Sequence, residues 1–459
     1  MTLRPEPDEV APDLGAAVAG LVGRGPVEVD PELPLARYRE IARHVELYVG
    51  GDVVRPAVAA GSVGTGEVSE TVARAVARIR LAAAELIEQT PSLRPLAPYL
   101  EEWSADTRFT DLDEVLARTG ADAVLTSSPI GVEELCALPG RDGSALYRRG
   151  SDSVEYGPSA AVLVEAAGVR RVLVEEWGLG IGEAEELQQL GVTLVDGSHA
   201  IAKWRERRDH QYLPAVVVVA RATGHALDSA VEFARDAVAR VRPITENDVR
   251  AAYLDAAHAF ADSIGLTGHI HEFFTNCHAG DRSIHPCLAT DHPVGPGTTS
   301  LKLDAGLAVV VDGLTLATSD AARTFVSDPD AERAYEILIR IVRSTISEQI
   351  TEGAVFADVH RRVVDQLVAE RDGLVKAGFW PEQIDLAGRY ALRNVGHLMG
   401  RQESFSSEFR PGDREVVRVG DFGACEIQWP IGEYSIGAED MWLVLPSTTV
   451  NLTQQGDAP

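Results

Sequence analysis

The sequence predicts an α+β protein of more than one domain. Three observations carry this. At 459 residues the chain exceeds what one compact core accommodates. Residues 109–205 alternate helix-like segments, glycine stops and strand-like runs, as a small α/β domain does. Residues 226–459 open on amphipathic helices and close on a strand-rich tail, 411–452.

The elements follow in order. Within residues 1–108, read as a helical N-terminal extension, "TVARAVARIRLAAAELIEQ" (71–89) repeats Val, Ile, Leu and Ala at helical intervals. "DLDEVLARTGADAVLTS" (111–127) reads as helix, Gly120 stop and strand, and "LQQLGVTLVDG" (187–197) repeats that pattern. Between them, "AAVLVEAAGVRRVLVEEWG" (160–178) reads as two strands around a turn at Gly168. A helix is expected from 226, at "ALDSAVEFARDAVARV", and another after Thr245, a candidate N-cap. A His-rich stretch (269–292) and strands follow. Helices are then predicted over 328–350, ending at Gly353, and over 356–370. The expected domains are therefore 1–108, 109–205 and 226–459.

The net charge of −28 repels phosphate backbones and anionic surfaces, which argues against nucleic-acid and membrane partners. No apolar run approaches the roughly 20 residues of a membrane helix, and "MTLRPEPDEVAPDLG" lacks the pattern of a signal peptide. The four cysteines form no CxxC pair, so free thiols in a reducing, cytoplasmic compartment are expected. Cys425 points away from its neighbour Glu426 if their strand is regular, and is read as a buried structural thiol.

The chemistry is expected in "LKLDAGLAVVVDGLTLATSDAARTFV" (301–326). Asp304 and Asp320 both border apolar, strand-forming sequence, where a carboxylate is costly unless it is paired or bound to a cation. They stand sixteen residues apart around Asp312-Gly313, a hairpin signal that brings both acids to one place. Three further polar residues lie in similar settings: His397 in "NVGHLMG", Glu426 in "FGACEIQWP" and Glu439 in "IGAEDMWLV". Four carboxylates and one imidazole suit Mn²⁺, Co²⁺, Fe²⁺ or Zn²⁺, and two ions would neutralise the acids. Taken singly, each residue has an ordinary explanation as a turn residue, a satisfied histidine or an acidic hairpin edge.

Their order is similar to that of the creatinase/aminopeptidase P/methionine aminopeptidase family, the M24-type pita-bread fold. "LDAG", "SDAARTF", "GHLMG", "CEIQWP" and "AEDMWLV" resemble its successive motifs over 226–459, and the α/β segment 109–205 resembles the N-terminal domain of its creatinase and prolidase branches. The resemblance implies five metal ligands, Asp304, Asp320, His397, Glu426 and Glu439. Asp320 and Glu439 would serve both ions, with Asp304 completing one site and His397 and Glu426 the other; a hydroxide held between the ions would attack a carbonyl carbon, and Glu426 would also relay a proton. It further implies a homodimer.

The peptide-handling positions of that family depart from its pattern. Arg393-Asn394-Val395-Gly396 replaces the first His of the HGxGH motif, Ser404 takes the place of a substrate-side His, and Gly437 stands where the proline-specific enzymes often carry Arg. Arg393, Gln402, Glu403 and Ser404 are candidate substrate contacts. His285 is the preferred acid/base partner, ahead of His278 and His292; His269 and His271 alternate along an extended segment. The expected function is metal-dependent hydrolysis of a small amide or peptide-like C–N bond, with an ordinary proline peptide disfavoured as substrate. A metal-dependent lyase cleaving C–N or C–S on the same fold is the alternative.

Overall fold

The computed structural model describes residues 27–29, 33–42, 47–49, 60–64, 70–103, 108–137, 143–206, 210–284, 287–378, 380–383, 385–400, 403–431 and 434–455. The chain forms two compact units, one of residues 1–69, 106–205 and 312–314, the other of 70–105, 206–311 and 315–459.

The smaller unit holds a six-stranded sheet in the order Gly61–Gly64, Ser153–Gly157, Ser144–Arg148, Ala123–Thr126, Arg171–Val174, Thr193–Asp196. The last three strands run parallel and the others antiparallel. Helix–glycine–strand reading holds at Arg108–Thr119 before Ala123–Thr126 and at Ile181–Gln189 before Thr193–Asp196, with Gly120 and Gly191 at positive φ. It fails at 160–167, which is a helix, Ala160–Ala167, and not a strand. Alanine and leucine are strong helix formers, and Gly168 (φ 66°) is a left-handed helix cap and not a strand turn. The described part of 1–108 contains three short strands, Val27–Val29, Leu47–Val49 and Gly61–Gly64, besides helices.

The larger unit is built on a nine-stranded sheet. Its strands are β1 (Ile270–Ala279), β2 (Ser300–Val311), β3 (Leu314–Thr318), β4 (Ala321–Val326), β5 (Gly396–Met399), β6 (Glu403–Glu408), β7 (Phe422–Ile431), β8 (Tyr434–Val444) and β9 (Thr449–Asn451). They lie in the order β1-β2-β4-β8-β7-β5-β6, with β3 paired to β2 and β9 to β8, and every assigned pair is antiparallel. The β2–β3 connection is the hairpin predicted at Asp312-Gly313, both residues having positive φ (54° and 81°). Asp312 is thus a turn residue.

The unit's helices include α1 (Glu70–Gln89), α2 (Leu213–Ala239), α3 (Glu246–Ser263), α4 (Pro329–Glu348) and α5 (Phe356–Ala369). Helix α2 begins thirteen residues before the predicted start, because the β-branched run Val216–Val219 is buried helix. A continuous apolar run carries no period to distinguish the two states. Thr245 caps α3 as expected: its Oγ1 accepts from Asp248 N (3.2 Å), while Asp248 Oδ2 accepts from Thr245 N (2.8 Å). No helix among the described residues is long and apolar enough to cross a membrane.

Strand alternation gives the sheet two different faces. Cys425, Ile427, Ile436, Ala438, Trp442 and Val444 form one core with α4 and α5. Cys425 is fully buried there, the structural thiol anticipated from its position. Asp440 shares this face and is also fully buried. Burial works to raise its carboxyl pKa, but Arg323 and Arg343, with hydrogen bonds from Thr453 and Asn451, hold it below its ordinary value. Arg323 donates to Asp440 Oδ1 (2.6 Å) and to the Glu439 carbonyl (2.7 Å), fixing β8 against β4.

Breaking that buried pair leaves a charge stranded, at a cost of about 3–5 kcal/mol. Arg323→Met should lose that much in urea unfolding. Thr245→Ala, which removes only a cap, should lose about 1 kcal/mol in the same measurement.

Candidate metal centre

The opposite face of the sheet carries the acids. Cross-strand partners share a face, and one register row runs Asn276–Asp304–Ala322–Glu439–Glu426 across β1, β2, β4, β8 and β7. Asp320 lies two residues before Ala322. His397 pairs with Ala424, two residues before Glu426, and so takes the same face. Ala322, fully buried, is the small residue between Asp304 and Glu439.

Three of these side chains converge. Ligand atoms of Asp320, His397 and Glu439 lie within 4.8 Å of one another. The residues are 4%, 1% and 1% exposed, too little for water to screen their charges. His397 Nε2 lies 3.6 Å from Asp320 Oδ2, and His397 Nδ1 lies 3.0 Å from the Leu398 carbonyl. A carbonyl only accepts, so Nδ1 carries a proton, and Nε2 is the ring nitrogen that faces Asp320. Two buried carboxylates this close repel each other, and a cation between them relieves that repulsion. Two carboxylates and an imidazole are a donor set that fits Mn²⁺, Fe²⁺, Co²⁺ or Zn²⁺.

Asp304 and Glu426 are arranged differently. The Gln428 amide donates to both, through Nε2 to Glu426 Oε2 (3.0 Å) and to Asp304 Oδ2 (3.4 Å). Its oxygen accepts from Lys302 Nζ (2.9 Å). Burial, then the charge of Asp304, pushes the Glu426 carboxyl up to about 7. Burial also raises Asp304, against the pull of Lys302 and Gln428. Lys302 is 3% exposed; burial lowers its pKa while Asp304, Glu426 and Glu439 oppose that shift.

The family model of metallopeptidase family M24 matches residues 217–446, just over half of the sequence. The chain belongs to metallopeptidase family M24. Solved structures agree on the fold of this M24 member. An Xaa-Pro dipeptidase from Bacillus anthracis superposes with a TM-score of 0.60 at 14% identity, over 77% of this chain and 98% of that one. Prolidase from Pyrococcus furiosus gives 0.57 at 16%, over 75% and 99%. The N-terminal domain of FACT complex subunit SPT16 from Cicer arietinum gives 0.59 at 12%, over 76% and 97%. Identities this low establish a pita-bread architecture and no activity. None of the curated proteins compared matches the sequence.

The M24 sheet thus places all five predicted ligands on one face and brings Asp320, His397 and Glu439 together. Among the acid/base candidates, His285 lies outside the described residues, as does Gln402. Glu403 and Ser404 lie in β6. Arg393 leads into β5, where its carbonyl accepts from His360 Nε2 (3.0 Å). His271 is exposed, and His292 lies beyond β1, in the segment that precedes β2. His278 is fully buried, with Nδ1 3.0 Å from the Cys287 carbonyl. Burial, then the Lys302 charge, lowers its pKa to about 4.

Sequence reasoning passed over a second row, two residues from the first. His278 pairs with Lys302, Lys302 with Thr324, and Gly437 with Gln428, while Thr324 Oγ1 and Gly437 exchange hydrogen bonds (2.8 and 2.9 Å). The signal was available: Lys302 precedes Asp304 by two residues, and Gln428 follows Glu426 by two. Gly437 is what allows Lys302 to cross to Gln428. A Cβ there would stand 3.1 Å from Gln428 Cγ and 3.3 Å from Lys302 Cδ. Gly437→Ala should therefore destabilise the M24 sheet by about 1–3 kcal/mol, read as a lowered thermal midpoint.

Proposed function

We propose that this M24 chain is a divalent-metal-dependent hydrolase of a small amide or peptide-like C–N bond. The observation that carries the reading is the buried convergence of Asp320, His397 and Glu439 on the acid-lined face. These three side chains would hold the ion, with His397 kept in the required tautomer by the Leu398 carbonyl. Bound there, a divalent ion supplies Lewis-acid activation of water and of the scissile carbonyl. The two-ion form implied by the family resemblance would also recruit Asp304 and Glu426.

The protein's own groups supply positioning and proton transfer. Glu426, oriented by Gln428, is the group proposed to carry a proton between attacking water and leaving nitrogen. His285 is the proposed partner for that transfer. Arg393, Gln402 and Ser404 are proposed to replace the peptide-handling residues of the proline-specific enzymes, which directs the reading toward a substrate other than an ordinary proline peptide. A homodimer in a reducing, cytoplasmic setting accompanies this proposal, in keeping with its free cysteines.

The test is elemental analysis of purified protein supplied with Mn²⁺, Co²⁺ or Zn²⁺, beside Asp320→Ala. At least one ion per chain is expected in the wild type and close to none in the variant, with unchanged far-UV circular dichroism. A wild type that takes up no ion overturns the reading. With an amide substrate in ¹⁸O water, hydrolysis should place one solvent oxygen in the acyl product. An alkene product without the label would replace the hydrolase with the lyase alternative.

A further inference from the structure

We propose that Gln428 and Lys302 fill the position of the second ion, so that this chain binds one divalent ion and not two; the inference rests on the metal reading above. Among the described residues, the only group of three or more converging Asp, Glu, His or Cys ligand atoms is Asp320, His397 and Glu439. Asp304 and Glu426 stand on the same face and in the same register row, but outside that group.

What stands between those two acids is a hydrogen-bond donor. An ammonium group can only donate, so Lys302 Nζ at 2.9 Å requires the amide oxygen of Gln428 to face it. The amide nitrogen is thereby turned to Glu426 Oε2 and Asp304 Oδ2. Because this NH₂ group offers no lone pair, a second ion at Asp304, shared with Asp320 and Glu439, would have to displace it from Asp304 Oδ2. It would also lie against a lysine head group of like charge.

The lysine is held where it is by the rows described above. Lys302 and Asp304 alternate on one strand, so both side chains take the acid-lined face. Gly437 leaves the path to Gln428 clear, and Thr324 fixes the Gly437 backbone through both of its hydrogen-bonding groups. Lys302 is 3% exposed and makes this contact inside the sheet face, so the cation is built into the site and is not a surface side chain folded inward.

The experiment is metal stoichiometry of the full-length chain saturated with Co²⁺ or Mn²⁺, by elemental analysis after removal of free metal and by calorimetric titration. One ion per chain is expected in the wild type. Lys302→Met and Gln428→Gly should each double this to two, and a Mn²⁺-loaded variant should show the exchange-coupled electron paramagnetic resonance spectrum that the wild type lacks. Both variants keep or reduce side-chain volume, and Gln428→Gly stands alone if Lys302→Met fails to fold. Two ions in the wild type would overturn the inference and leave the metal reading standing. A single ion in wild type and folded variants alike would remove Lys302 and Gln428 as the cause. No ion in the wild type would overturn the metal reading itself.

Discussion

A one-residue slip between Ala321–Val326 and Tyr434–Val444 would turn Glu439 into the helix-packed face and Asp440 into the acid-lined one. The molecule opposes that slip from both sides. Behind the sheet, Arg323 bonds at once to the Asp440 carboxylate and to the Glu439 carbonyl. In front, Thr324 and Gly437 exchange two hydrogen bonds within the same strand pair. Register is ordinarily set by apolar pattern. Here it is reinforced by a buried charge whose loss of partner is far more costly than a misplaced methyl group. The positions of Asp304, Ala322, Glu439 and Glu426 all follow from it.

Much of this was legible in the sequence because it lives on alternation and turn chemistry. Asp312-Gly313 announced the hairpin that brings the Asp304 strand and Asp320 together, Thr245 announced a cap, and the order of acids around "GHLMG" announced the family. Cys425 was placed correctly by parity alone. The errors have local causes. Ala160–Ala167 is short and apolar, so helix and strand look alike without a period. Val216–Val219 favours strand by propensity, and tertiary burial in α2 overrides it.

The partners of the acids were not read from the sequence, for a different reason. Metal-ligand reasoning searches for Asp, Glu, His and Cys, and so passes over an amide and an ammonium. Lys302 and Gln428 become visible only when the same-face rule is applied outward from the acids by two residues on each strand. His278, ranked below His285 from position alone, proves to be the cross-strand neighbour of Lys302. Its place depends on a β1–β2 pairing that no local signal specifies.

Gly437 and Lys302 share a single space, so a change at either position is felt at the other. A side chain at 437 would crowd the stems of both Lys302 and Gln428, and shortening the lysine would open a gap beside the bare backbone of β8. The two positions are therefore energetically coupled, and the effects of changing them one at a time do not add.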